Sequence, residues 1–142
     1  MANPLTLYVA IKQDPITQAA AKVAHDNFVA GVQKGLDASK IVHYARLALV
    51  PNSNGQGYAG ILLVTTFDGP MNPYLKFFWD AGGVQQAILG VAALALNPPN
   101  PPVTDLTSFE NFINNNNLNP GGDLYGAYPQ TVKQILAKFP PK

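Results

Sequence analysis

Histidine is the side chain whose ordinary pKa lies closest to neutral pH, and His43 is the better placed of the two histidines in this chain to do chemistry. It lies in the alternating run Lys40–Val50, on the same side as Ile41, Ala45 and Leu47. On such an apolar surface an imidazole can be a hydrogen-bonded core side chain, a general acid or base, or the ligand of a haem iron. The residue types leave these three roles open.

The other groups that commonly carry catalysis are scarce. The chain has no cysteine and two histidines, too few donors for a zinc site, and its single glutamate, Glu110, argues against a pair of catalytic carboxylates. Its serines lack the strand-turn-helix setting of a nucleophile, and no glycine-rich phosphate loop follows a strand. The sequence therefore predicts no metal site and excludes hydrolase and kinase chemistry.

Two charged residues accompany His43 on the same stretch of chain. Arg46, the only arginine, falls on the opposite strand face from His43. If that face meets a partner sheet, Arg46 is expected to pair with a carboxylate or carbonyl there, such as Asp68 or its counterpart in a second copy; anion binding is the alternative. Asp68 precedes Gly69-Pro70 and is expected to be a turn or cap residue.

These residues must be positioned by the stretch from Lys40 to Gly69, which has two apolar runs around the turn-forming segment Pro51–Gly57. This arrangement predicts a long β-hairpin. Both predicted strands, Lys40–Val50 and Tyr58–Phe67, carry apolar residues at both parities, which is typical of strands covered on both faces.

The rest of the chain supplies elements to cover the hairpin. The predicted elements are a strand Leu5–Ile11, a helix from Asp14-Pro15 to about Leu36, a helix after Asp68 that is broken at Gly82-Gly83, a buried helix Val84–Leu96, a stiff connection Asn97–Pro102, a helix from Thr104-Asp105 to about Ile113, an asparagine-rich loop Asn114–Asn117, a fourth strand Asp123–Tyr128 and a helix Gln130–Phe139. This order predicts an α+β, ferredoxin-like β-α-β-β-α-β fold with a four-stranded antiparallel sheet and extra helices near the C-terminus.

Length and composition restrict the class of protein. A chain of 142 residues predicts one domain, 1–142, and its low share of charged residues, 12%, favours association with another copy. A net charge of +1 without a basic block argues against nucleic-acid binding. No apolar run reaches the roughly 20 residues of a membrane span, and no signal sequence is recognisable, so we expect a cytoplasmic protein without a membrane partner.

The hairpin motifs resemble a known family. Val42-His43-Tyr44-Ala45-Arg46, followed by Leu62-Leu63-Val64-Thr65-Thr66-Phe67-Asp68-Gly69 and then Tyr74, resembles the ferredoxin-like dimeric α/β-barrel proteins. The resemblance covers the hairpin well and the first strand and helix loosely, and it leaves 84–119 unmatched. It implies a homodimer with its two sheets face to face and a ligand cavity between sheet and helices. The superfamily is similar in shape to cofactor-free monooxygenases, haem-binding decolorising peroxidases and chlorite dismutases.

We therefore expect a homodimer that binds a small apolar or aromatic ligand in that cavity without a cofactor. The alternative is an oxidoreductase of the same fold that uses His43, either cofactor-free and monooxygenase-like or haem-dependent and peroxidase-like. Whether the protein is an enzyme stays open at this point. The predicted ligand-contact residues are His43, Tyr44, Arg46, Phe67, Asp68, Tyr74, Trp79 and Tyr125.

Overall fold

A computed structural model describes residues 2–141, so residues 1 and 142 of the predicted domain lie outside the described part. The strands are β1 (Ala2–Ala10), β2 (Val42–Pro51) and β3 (Tyr58–Asp68). The helices are α1 (Pro15–Asp26), α2 (Phe28–Ser39), α3 (Met71–Asp80), α4 (Gly82–Leu94), α5 (Leu106–Asn116) and α6 (Val132–Lys138).

The strands form one antiparallel sheet in the order β1-β3-β2, which confirms the hairpin. The predicted four-stranded, ferredoxin-like sheet is wrong, because residues 123–128 form no strand and are exposed. The outer edge of β1 is occupied instead by short bridges to Asn117 and Ala95, and the Leu118 N–H donates to the Thr6 carbonyl at 2.8 Å. Since these segments already use the backbone groups along that edge, a fourth strand has little to pair with there.

The helices bury one face of this sheet. Leu5, Leu7 and Val9 of β1 are at most 3% exposed, and Phe67 of β3 is fully buried. They form a single apolar cluster with buried side chains of α1, α3, α4 and α5. The opposite sheet face is left open within the single chain, where Tyr44 is 79% exposed. β2 and β3 therefore carry apolar residues on both faces, although only one of these faces is covered within a single copy.

The predicted helix from Asp14 to Leu36 is two helices. Asp14 caps α1 as predicted, accepting the Thr17 N–H at 2.9 Å. The Thr17 hydroxyl also donates to Asp14, at 2.7 Å. The backbone hydrogen bond, and to a smaller extent the hydroxyl bond, hold the pKa of Asp14 below its usual range. The Asn27 backbone N–H still donates to the Val23 carbonyl at 3.1 Å, and its side-chain amide donates to the same oxygen at 2.9 Å. The helix ends here because the Asn27 backbone, at φ −105° and ψ 5°, departs from helical geometry, and α2 begins at Phe28.

Within residues 2–141, none of the helices combines the length and the apolar character needed to cross a lipid bilayer.

Candidate functional site

His43 lies in a β-bulge at the start of β2. Val42 is opposite Phe67 and Tyr44 is opposite Thr66, so His43 is one residue more than the partner strand provides for. A bulge bends the strand locally and redirects a side chain, and bulges are frequent beside functional sites. Because of the bulge, the direction of the His43 side chain does not follow from the alternation of residues along the strand.

Asp68, at the end of β3, connects His43 to the C-terminal helix. The His43 Nε2 lies 2.8 Å from Asp68 Oδ1, with the two side chains only 15% and 10% exposed. Because an ionised carboxylate only accepts, the imidazole donates this bond. Asp68 Oδ2 accepts the backbone N–H of Val132, the first residue of α6, at 2.7 Å. One carboxylate thus orients the imidazole and holds α6 beside the edge of the sheet.

A groove of about 650 Å³ opens between α2, the first residues of β2 and α6. Its apolar lining is Phe28, Val29, Val32, Leu36, Val42, Ala45, Val132, Leu136 and Pro141, and its polar lining is Gln33, Asp37, Lys40, His43 and Tyr44. This volume lies within the range of about 300–1,000 Å³ that is usual for small-molecule sites. Mostly apolar walls with a few polar groups are also typical of such sites.

A much smaller apolar space of about 30 Å³ lies behind the groove, between the sheet and the helices. Phe28, Val32, Leu36 and Ala45 line both spaces and so separate them. The polar side chains at the inner space are Thr65 and Tyr74, whose hydroxyl oxygens are 3.0 Å apart. Burial raises the pKa of Tyr74 to about 12, only partly opposed by the bond to Thr65. The inner space can hold about one water molecule, so a larger ligand must use the groove.

The structure brings only some of the predicted ligand residues together. His43 and Tyr44 line the groove, and Asp68 is bonded to His43. Phe67 and Tyr74 stack in the core with ring centroids 3.9 Å apart.

The other three predicted residues lie elsewhere. Trp79 packs on Phe109 with ring centroids 5.3 Å apart and does not line the groove. Arg46 is exposed on the open sheet face, and Tyr125 is 88% exposed in the segment before α6. Asp68 pairs with His43, and Arg46 makes no ion pair with any residue of 2–141.

Sequence reasoning missed the helical wall of the groove. Phe28, Val32 and Leu36 keep a spacing of four residues, which is typical of a helical stripe that faces a core. In the structure Phe28 and Leu36 are only half-buried, because this stripe lines the groove as well as the inner space. The apolar residues of α6 carry a similar pattern, and α6 has no buried residue.

The arrangement around His43 does not fit haem ligation through Nε2, the imidazole nitrogen farther from the backbone, because that nitrogen is bonded to Asp68. With Nε2 used as the donor, Nδ1 is the ring nitrogen that can accept a proton. The same hydrogen bond suits an imidazole that exchanges protons, since a carboxylate partner fixes the orientation and the tautomer of the ring.

No protein-family profile, curated protein or solved structure matches this chain. The resemblance to the dimeric α/β-barrel proteins therefore stays a prediction that rests on the hairpin motifs.

Proposed function

We propose that this protein binds a small apolar or aromatic molecule in the groove between α2, β2 and α6. The observation that carries this proposal is the groove itself, about 650 Å³ with nine of its fourteen lining residues apolar. Burying an apolar ring there is favourable by roughly 25 cal/mol for each Å² removed from water.

The polar groups at the groove favour a ligand with one hydroxyl or carbonyl. His43 and Tyr44 lie side by side at the sheet edge, and the hydrogen bond to Asp68 fixes the His43 ring. A few well-placed polar groups in an apolar site orient a ligand rather than supply most of the affinity. A phenol or a similar aromatic alcohol matches this combination.

Titration with 1-naphthol, followed by ¹H–¹⁵N NMR of the full chain, tests the proposal. Val29 lines the groove and is 65% exposed, so Val29→Lys places a charge at the apolar wall without disturbing the core. We expect saturable shifts in α2 and residues 42–45, and about tenfold weaker binding in Val29→Lys because a ring that packs on this wall has to displace water from the ammonium group.

The matched control is Val23→Lys. Val23 is 59% exposed on the neighbouring helix α1 and does not line the groove, so binding should be unchanged. Equal weakening in both variants, or shifts confined to other parts of the chain, would contradict the proposal.

The His43–Asp68 hydrogen bond favours a second candidate function, a cofactor-free oxidoreductase that acts on the same ligand class. In it His43 takes one proton of a bound hydroquinone, and molecular oxygen oxidises the more electron-rich anion to the quinone. The two electrons and two protons that leave the hydroquinone reduce the oxygen to hydrogen peroxide. Oxygen uptake with hydroquinone should fall at least a hundredfold in His43→Gln, in line with the loss of a general base. No uptake above the protein-free rate would remove this candidate and leave the binding function standing.

A further inference from the structure

A separate, polar pocket lies between the proline-rich connection and α5. Its volume is about 250 Å³, and it shares no lining residue with the groove. It is lined by Asn97, Pro99, Asn100, Pro101, Ser108, Asn111, Phe112, Asn115 and Asn116. Two segments that are separate in the sequence, the proline-rich connection Asn97–Pro102 and the asparagines at the end of α5, therefore meet at this pocket.

The helical side of this pocket is set by spacing along α5. Asn111 and Asn115 are four residues apart and so lie on one face of the helix, with Phe112 between them and buried. Among the pocket asparagines of residues 2–141, Asn116 is the one whose side-chain amide bonds to another group of the protein. Its Nδ2 donates to the Phe112 carbonyl at 2.8 Å. Asn111 and Asn115 keep both their donors and their acceptors for a ligand.

The other side of the pocket is a rigid segment. Pro99 and Pro101 restrict the backbone that carries Asn97 and Asn100. The Ser108 hydroxyl accepts the Thr104 N–H at 2.9 Å and donates to the Asp105 side chain at 2.7 Å, which ties the end of the connection to the start of α5. The pocket is thus formed in advance, and a ligand does not have to order it.

The chemistry of the lining selects an uncharged, hydroxyl-rich ligand. No lysine, arginine, aspartate or glutamate lines the pocket, so phosphates, carboxylates and cations lack a charged partner. Each asparagine amide offers an acceptor oxygen and two donor hydrogens in one plane, which complements hydroxyl groups that both donate and accept. The proline rings and Phe112 add apolar surface on which the C–H face of a sugar ring can pack.

We propose that this pocket binds one neutral pyranose ring. Its volume is slightly below the range of about 300–1,000 Å³ found for drug-sized ligands, which fits a single ring. Asn111 and Asn115 bind the sugar hydroxyls through their side-chain amides. This site is independent of the ligand proposed for the groove.

The test is a ¹H–¹⁵N NMR titration of the full chain with methyl α-D-glucopyranoside, methyl α-D-galactopyranoside and N-acetyl-D-glucosamine. We expect at least one of these probes to give saturable shifts of the Asn111 and Asn115 side-chain amides. The double variant Asn111→Ala/Asn115→Ala should bind at least fivefold more weakly. Both asparagines are exposed on a helix, where alanine is well tolerated, so the variant should fold.

The matched control is Asn114→Ala, an exposed asparagine of the same helix that does not line the pocket. Its affinity for the sugar should equal that of the unchanged protein. The proposal is overturned if none of the three sugars gives a saturable shift, or if the double variant binds as tightly as Asn114→Ala. Inorganic phosphate binding at the same amides as tightly as the sugars would overturn it as well.

Discussion

At the residue scale, Tyr74 shows how burial alters the chemistry of a single group. Its hydroxyl lies 3.0 Å from that of Thr65, and its ring stacks on Phe67 and meets Phe78 edge-on. Because the neutral phenol is favoured in this apolar setting, the pKa of Tyr74 rises to about 12. Tyr74 is therefore a buried, hydrogen-bonded residue whose hydroxyl is uncharged at physiological pH.

This raised pKa predicts a loss of stability in alkaline solution. An unfolded tyrosine ionises near pH 10, so the stabilisation is fully present below that pH and is lost as the pH approaches about 12. The free energy of unfolding should fall by on the order of 2–3 kcal/mol across this window through Tyr74 alone. Urea unfolding at a series of pH values between 8 and 12 measures it.

Tyr74→Phe should be less stable at pH 8 by about 1 kcal/mol, because it leaves the Thr65 hydroxyl without its partner. Its stability should then fall less steeply above pH 10. Tyr128→Phe, at an 83% exposed tyrosine, should keep the steep fall. Identical slopes in the two variants would show that Tyr74 does not titrate as described.

At the scale of elements, α2 and α4 approach closely through glycines. A Cβ atom added to Gly83 would lie 2.9 Å from the carbonyl oxygen of Gly31, and one added to Gly35 would lie 3.1 Å from the Val84 side chain. Contact with a backbone oxygen cannot be relieved by rotating a side chain. The absence of a side chain at position 83 therefore sets how near the two helices can lie, and with them the helical wall of the groove.

Gly83→Ala should lower the free energy of unfolding by about 1–3 kcal/mol, since the helices must move apart. Gly90→Ala, in the same helix α4 and with no atom within 4 Å of its added Cβ, should raise it by about 0.5–1 kcal/mol through helix propensity. Urea unfolding of both variants measures the difference. Stabilisation by both substitutions would contradict the close approach of α2 and α4.

The attachment of α6 depends on a polar contact more than on packing. None of its residues is buried, and its first N–H donates to Asp68 at 2.7 Å. Asp68→Asn removes the charge from this bond, so we expect amide hydrogens of α6 to exchange about tenfold faster, a change of about 1.4 kcal/mol in local opening.

Asp80→Asn provides the control for α6. Asp80 is 59% exposed and pairs with Lys76 on α3, so its substitution should leave exchange in α6 unchanged. Unchanged α6 exchange in Asp68→Asn would show that α6 is held by its apolar contacts instead.

At the scale of the whole molecule, the open sheet face bears on the homodimer predicted from the sequence. Val64 and Tyr44 are exposed there, and Leu62 and Ala48 are half-buried. Arg46 supplies a charge to a face that is otherwise mostly apolar. Large apolar faces on soluble proteins commonly mark association surfaces.

The homodimer stays a prediction, which sedimentation equilibrium can check. We expect a mass of twice 15.2 kDa for the unchanged chain and a monomer for Val64→Lys, since the substitution buries a charge in each half of the interface. Ile16→Lys, at an 83% exposed residue of α1, should remain dimeric. A single-chain mass at all concentrations would contradict the dimer.

The parts of the structure that follow from local sequence were predictable. Asp14 and Asp105 cap helices as their residue types indicate, because the carboxylate bonds an N–H only three residues ahead. The hairpin strands follow from alternation and from the turn chemistry of 51–57. These features depend on neighbours in the chain, which the sequence displays directly.

The number of strands and the groove were decided only by the tertiary structure. Residues 117–118 and 95–96 take the edge of β1 that the predicted fourth strand needed, and no local pattern marks them as strand partners. Alternation along the strand predicts His43 on an apolar face. Its surroundings in the structure come from a bulge, from Asp68 25 residues away, and from α6, which Asp68 bonds 64 residues further on. Periodicity records how one element is buried on average, whereas register, bulges and sites depend on contacts between distant elements, whose pairing the sequence does not display.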